Sequence, residues 1–127
     1  MLAKKIVSLT VILTFNTMKG YGHVTQEQET LKTLESISLA LELFKLDLGY
    51  YPCTEDSGLI HLTINKTKSK SWQGPYLPKQ YTDAWGNNFQ YKFYCKQKNK
   101  IFLLYSIGKN KVDDSGNGDD IVIPPWK

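Results

Sequence analysis

The stretch from Gln26 to Leu48 reads QEQETLKTLESISLALELFKLDL. Its apolar side chains recur at intervals of three and four residues, and most of its charged side chains fall between them, which is the pattern of an amphipathic helix. The sequence therefore predicts one helix that buries a single face and keeps the opposite face in water. The positions of the buried face are Leu34, Ile37, Leu41, Phe44 and Leu48.

Both ends of this helix carry residues that are typical of helix termini. Thr25 and Gln28 have the spacing of a capping box, and Gly49 is a typical C-terminal stop. Pro52 then disfavours helical backbone at the residue before it. A second apolar side, formed by Leu39, Leu43 and Leu46, widens the buried surface. It either covers a sheet or adds a partner helix, and we expect it to cover a sheet.

The second half of the chain has the pattern of strands. Residues 89–94 alternate aromatic and polar side chains, and residues 101–107 form another apolar segment. The lysine-rich residues 96–100 between them make a turn, so the pattern predicts an antiparallel hairpin. Residues 121–123 are suited to a short third strand that ends before Pro124 and Pro125.

Residues 1–22 have the features of a secretory signal peptide. Lys4 and Lys5 form a charged start, residues 6–15 form an apolar run, and Gly20 and Gly22 are small residues before a cleavage site. The run is too short to cross a bilayer. We therefore expect a globular domain over residues 23–127, exported to the periplasm or secreted, with no stable membrane span. The alternative is an uncleaved anchor.

The residues of the chain argue against two classes of function, nucleic-acid binding and catalysis. The chain has 127 residues, which suits one domain, and all sixteen basic residues are lysines. Without arginine it lacks the side chain best suited to bidentate recognition of phosphate and guanine, which argues against nucleic-acid binding. Removal of the leader would leave thirteen lysines and twelve acids, so most of the net positive charge belongs to the leader. The two histidines have no evident catalytic partner and no phosphate-binding loop is present, so an enzyme is not predicted.

Cys53 and Cys95 are the two cysteines of the chain. In an oxidising compartment an even pair favours a disulfide, and the alternative is two separate buried thiols. A loop of this length would stabilise the fold by roughly 4 kcal/mol in the chain-entropy model. The pair is too widely spaced for a redox motif and too few for a zinc site.

The segment from Ser106 to Ile121 is rich in carboxylates. Asp113, Asp114, Asp119 and Asp120 place four negative charges within eight residues. Such a loop is either solvated or neutralised by a cation, and carboxylate, amide and carbonyl oxygens in a flexible loop suit calcium better than magnesium. The segment is not an EF-hand, because Pro124 stands where that motif needs glutamate.

Five blocks of the chain together resemble the G-type major pseudopilin of type II secretion systems, over roughly residues 30–123. In that family an N-terminal helix packs on a small antiparallel sheet, so the resemblance implies an α+β, pilin-like fold with a calcium-binding loop. The Asp-Pro-Trp-Gly pattern departs from the family only at Ala84. The blocks are Leu41-Glu-Leu-Phe-Lys-Leu-Asp47 with Tyr51-Pro52, Gly74-Pro-Tyr-Leu-Pro78, Asp83-Ala-Trp-Gly-Asn87 with Phe89 and Tyr91, Ser106-Ile-Gly-Lys-Asn110, and Gly118-Asp-Asp-Ile121.

The resemblance also implies a set of calcium ligands. Ile107 matches the residue that contributes a backbone carbonyl, and Asn110 matches an aspartate ligand whose charge is lost here. Asp119 and Asp120 match the terminal acidic pair. From composition alone we add that Asp113 or Asp114 could restore the missing charge.

One departure bears on function. A pseudopilin carries about twenty apolar residues directly after its leader, whereas here Gly22 is followed by the polar residues 23–29. The resemblance implies a pseudopilin-like component or partner of a type II secretion apparatus, in contact with other proteins of a secretion or pilus-type assembly. The alternative is a free-standing secreted or periplasmic binding domain that reuses the fold.

Overall fold

The structure is a computed structural model that describes residues 23–96, 98 and 100–123. It comprises one long helix, two short 3-10 turns and three strands. The predicted signal peptide, residues 1–22, lies outside the described residues, so its assignment stays a prediction. Over the part of the chain that is described, no helix combines the length and the apolar character needed to cross a membrane.

Helix α1 spans Gln26–Leu48, as the periodicity predicts. The Thr25 hydroxyl accepts a hydrogen bond from the Gln28 amide at 3.1 Å, and the Thr25 amide donates to the Gln28 side chain at 3.0 Å. Gly49 ends the helix in the left-handed region, at φ 88°. The predicted capping box and the glycine stop are therefore confirmed.

The buried face of α1 is the predicted one except at Leu48, which is only partly buried. Leu34, Leu41 and Phe44 are fully buried, and each such side chain contributes roughly 1.5–3 kcal/mol relative to exposure. The second apolar side is divided: Leu43 is buried against the sheet, whereas Leu46 is 68% exposed. The helix thus covers the sheet with one broad face and leaves a leucine in solvent.

The three strands form one antiparallel sheet in the order β1, β2, β3. They are β1 Gln90–Lys92, β2 Leu103–Ser106 and β3 Ile121–Val122. Strand β1 is shorter than predicted because Phe93 turns from β2 to another partner. Its amide donates to the Thr54 hydroxyl at 2.7 Å, and its carbonyl accepts from the Thr54 amide at 2.8 Å.

The segment between α1 and the sheet contains two 3-10 turns, Thr54–Asp56 and Gly58–Leu62. Cys53, just before the first turn, forms a disulfide with Cys95, just after β1, with a Cα to Cα distance of 5.5 Å. Of the two alternatives for the cysteines, the structure contains the disulfide.

The domain has two distinct ends. At the N-terminal end of α1, the Ala84 amide donates to the Thr30 hydroxyl at 3.1 Å. The next residue, Trp85, accepts at its carbonyl from the Lys111 ammonium of the loop that follows β2, at 3.3 Å. At the C-terminal end of α1, the Tyr51 ring packs edge-on against Phe93 and Phe102. We call these the loop end and the disulfide end, because residues 107–120 mark one and the Cys53–Cys95 bond marks the other.

Candidate metal loop

A buried aspartate anchors the loop to the rest of the domain. The Asp83 carboxylate is 4% exposed and accepts hydrogen bonds from the amides of Trp85 and Asn87, at 3.0 and 2.8 Å. It also accepts a 2.6 Å hydrogen bond from the Ser106 hydroxyl at the end of β2. Asp83 therefore joins the turn at residues 83–87 to the end of strand β2, where the loop starts.

The first residues of the loop are held by the same network. The Asn87 side chain donates to the Gly108 carbonyl at 3.0 Å, and the Gly108 amide donates to the Ser106 hydroxyl at 3.0 Å. Gly108 has φ 72°, and a Cβ there would lie 3.3 Å from the Asp119 carbonyl. This region of φ favours glycine, and the short distance to Asp119 shows that the start and the end of the loop meet closely at this point.

Asn110 and Asp119 are directly paired. The Asn110 amide nitrogen donates to the Asp119 carboxylate at 2.5 Å, and the Asn110 side-chain oxygen accepts from the Val112 amide at 2.9 Å. Where the resembling family has two carboxylates, this chain has an amide that can donate. The two ends of the loop are therefore held together by a hydrogen bond as well as by backbone contact.

Asp113 lies at the surface beside strand β2. Its carboxylate accepts hydrogen bonds from the Ser115 amide at 2.9 Å and from the Tyr105 hydroxyl at 2.8 Å. These two donors, together with the nearby Lys92 ammonium, hold the pKa of Asp113 below its ordinary value. The Asp113 carboxylate is thus ionised and accepts hydrogen bonds within the loop.

Asp120 has one occupied and one unoccupied oxygen. Its Oδ2 accepts from the amides of Asp114 and Gly116, at 3.0 and 2.9 Å. Its Oδ1 is buried and has no hydrogen-bond partner among the residues described. A buried carboxylate oxygen without a donor is costly, so this atom is suited to a cation or an ordered water.

The predicted ligands are brought into one loop but not into one cluster of acids. Asn110 pairs with Asp119, whereas Asp113 accepts from the Ser115 amide and Asp120 from the Gly116 amide. Ile107, which is half-buried, is the first residue of the loop. Within residues 23–96, 98 and 100–123, no group of three or more histidine, cysteine or acidic side chains is placed to hold a metal. The free Asp120 oxygen is of the kind that hard cations prefer as a ligand.

Asp83 is the residue of this site to which sequence reasoning assigned no role. It appeared only as the first residue of the block Asp83-Ala-Trp-Gly-Asn87. The spacing of an aspartate, a glycine and an asparagine is typical of a turn capped by the aspartate side chain, and that signal predicts the bonds to Trp85 and Asn87. The bond to Ser106 has no local signal.

A helix of 23 residues packed on a three-stranded antiparallel sheet, with an oxygen-rich loop between β2 and β3, defines a pilin-like α+β domain. The profile of the family described as type II secretion system (T2SS), protein G matches residues 17–126, so the chain belongs to that family. The family is a structural pseudopilin family and not a known class of enzyme.

Several characterised proteins are similar to this chain. The type II secretion system core protein G of Pseudomonas aeruginosa is 31% identical over 96 residues, which cover 73% of this chain and 66% of that protein. The core protein G of Vibrio cholerae is 29% identical, over 68% of this chain and 62% of that protein. The matched region thus spans slightly less than two thirds of these two relatives.

The fold is similar to a solved structure as well. The crystal structure of the major pseudopilin from the type 2 secretion system of enterohaemorrhagic Escherichia coli superimposes with a TM-score of 0.59 and 25% identity, covering 76% of this chain and 81% of that one. The predicted resemblance and the predicted fold class are therefore confirmed. The calcium ligands stay a prediction.

Proposed function

We propose that this protein works as a pseudopilin-like component of a type II secretion apparatus, through contacts with other proteins of that assembly. The observation that carries the proposal is the family match over residues 17–126, which includes the helix, the sheet and the loop. It favours this role over a free-standing binding domain. The proposed location is the periplasmic side of the apparatus, where the predicted export signal would deliver the domain.

The helix offers a surface for such contacts. Leu46 is 68% exposed near the end of α1, and Leu31 is 39% exposed near its start. Leu39, between them, is only partly buried, and the three lie on one side of the helix. An apolar stripe beside charged residues is suited to packing against another subunit.

The role is tested by genetics in the source cell. Deletion of the gene should leave the substrates of the secretion system inside the cell, and the parent chain should restore their export. Leu46→Glu should restore export poorly because it places a charge in the proposed contact. Ile60→Glu, at another exposed apolar residue outside α1, should restore export fully. Normal export after deletion would contradict the proposal.

We also propose that calcium binds the loop of residues 107–120. The support is the donor set described above, above all the buried Asp120 oxygen that lacks a partner. Asp119, Asp120, Asn110 and the Ile107 carbonyl would hold the ion, with Asp113 as a further carboxylate of the loop. A bound cation would neutralise the carboxylates and fix the segment between β2 and β3, which shapes one surface of the domain.

Thermal unfolding tests the calcium site. Calcium at a hundredfold excess over its dissociation constant should stabilise the native state by roughly 2.7 kcal/mol relative to EDTA, a rise of several degrees in Tm. Asp120→Ala should abolish the rise, whereas Asp56→Ala, an exposed carboxylate on the first 3-10 turn, should keep it. Equal shifts with magnesium and calcium, or an unchanged response of Asp120→Ala, would contradict the ligand assignment.

A further inference from the structure

The disulfide end of the domain carries a concentration of lysines. Two segments contribute three each, and all six side chains are exposed. Glu55 and Asp56 on the first 3-10 turn line a pocket together with Lys66. Six lysines and these two acids give a formal charge of +4. The lysines are Lys66, Lys68, Lys70, Lys96, Lys98 and Lys100.

The two lysine segments belong to one surface. Lys66 lines a pocket together with Cys53, Glu55 and Asp56, so the first segment lies against the disulfide. Cys53 is bonded to Cys95, which directly precedes Lys96. The Lys100 ammonium donates to the Cys95 carbonyl at 3.4 Å, so Lys100 also lies beside the disulfide. We call this surface the basic end.

Large apolar side chains are interspersed among these lysines. Tyr94 is 45% exposed directly before Cys95, and Ile64 is 57% exposed two residues before Lys66. Tyr50, also 45% exposed, lines the pocket beside Lys66. The basic end therefore combines exposed ammonium groups with exposed tyrosine and isoleucine side chains.

We propose that the basic end docks on an anionic phospholipid surface. Lysines near such a surface are attracted to the headgroups, and tyrosine is favoured at the interface between water and lipid. Lysine is depleted in protein interfaces, which argues against a protein partner. The chain has no arginine, which argues against nucleic acid. This inference goes beyond the secretion role and does not depend on it.

Vesicle binding of the full chain tests the proposal. Its affinity for vesicles of mixed phosphatidylglycerol and phosphatidylcholine is compared with that for pure phosphatidylcholine, by co-sedimentation. The ratio of the two affinities is the readout, because the apolar run at residues 6–15 contributes to both alike. Lys4, Lys5 and Lys19 raise the ratio equally in the parent and in both variants, so the decisive result is the change in ratio between them. Lys66→Glu/Lys98→Glu is the test variant. Lys32→Glu/Lys109→Glu is the control with the same change in charge, placed on the first half of α1 and on the loop.

We expect the parent chain to prefer anionic vesicles at least about tenfold, and raising salt from about 0.01 M to about 1 M should remove the preference. In the test variant the preference for anionic vesicles should fall at least about tenfold, because each lysine removed is expected to lower it roughly fivefold. The control variant should keep the preference of the parent. A ratio near one for the parent, or equal losses in both variants, would overturn the proposal. Binding to soluble polyglutamate without binding to anionic vesicles would also overturn it, in favour of an acidic polypeptide.

Discussion

Asp83 illustrates how much of this domain depends on single polar side chains. Its carboxylate is 4% exposed and accepts from Trp85, Asn87 and Ser106. A buried carboxylate is tolerated only where donors surround it, and here those donors also position the start of the loop. Asn110 and Asp120 act likewise at the residue scale, one by donating to Asp119 and the other by offering an unbonded oxygen.

The corresponding prediction is that Asp83→Ala lowers the free energy of unfolding by about 3 kcal/mol, because it leaves the buried Ser106 hydroxyl and two backbone amides without their acceptor. Urea unfolding followed by tryptophan fluorescence measures the loss. Asp56→Ala removes an exposed carboxylate and should change stability by no more than about 0.5 kcal/mol. Equal effects of the two substitutions would show that the Asp83 network is not needed.

At the scale of elements, the sheet depends on connections outside its own ladders. Its strands have two to four residues each, which is too few for independent stability. Helix α1 covers one face, Thr54 extends the edge beyond β1, and the disulfide holds the residues after α1 to the residues after β1. The short strands are therefore stabilised by their neighbours.

We predict that Cys53→Ala/Cys95→Ala costs roughly 4 kcal/mol, because the bond restrains a separation of 42 residues in the unfolded chain. The difference is measured by urea unfolding of the double variant and the oxidised parent. The parent in reducing agent should match the variant. Equal stability of the oxidised parent, the reduced parent and the double variant would mean that the disulfide adds no stability to the packed core.

At the scale of the whole molecule, the two ends have different tasks. The loop end carries the proposed calcium site, and the basic end carries the proposed lipid contact. The core residues that join helix and sheet include Leu41, Phe44 and Leu104, which pack through apolar side chains. Among the candidate ligands, Asp113 is bonded to a buried core side chain, the Tyr105 hydroxyl. Most core contacts thus do not involve the loop, so we expect it to open without global unfolding.

Hydrogen exchange should show this separation. Removal of calcium with EDTA should speed amide exchange in residues 107–120 while α1 and the sheet keep their protection, because their apolar contacts do not involve the cation. Mass spectrometry of peptic fragments measures both regions in one experiment. Uniformly faster exchange after EDTA would mean that the metal supports the entire fold, and no change anywhere would count against a bound ion.

Much of the architecture could be predicted from sequence because its signals are local. The helix bounds Gln26 and Leu48 follow from periodicity and from caps formed by residues three positions apart. The hairpin and the third strand follow from alternation and from turn residues. The order of blocks, read against a known family, supplied the pilin-like fold, and the family match over residues 17–126 confirms it.

Other features depend on contacts between residues far apart in the chain. No local pattern distinguishes Leu43, which is buried, from Leu46, which is 68% exposed, since both continue the apolar side of α1. The hydrogen bond from Ser106 to Asp83 spans 23 residues, and the disulfide spans 42. The sequence by itself thus determined which elements form, because local backbone preferences and periodicity are short-range. Tertiary structure alone decided which face is covered and which polar groups meet, because packing brings distant residues together.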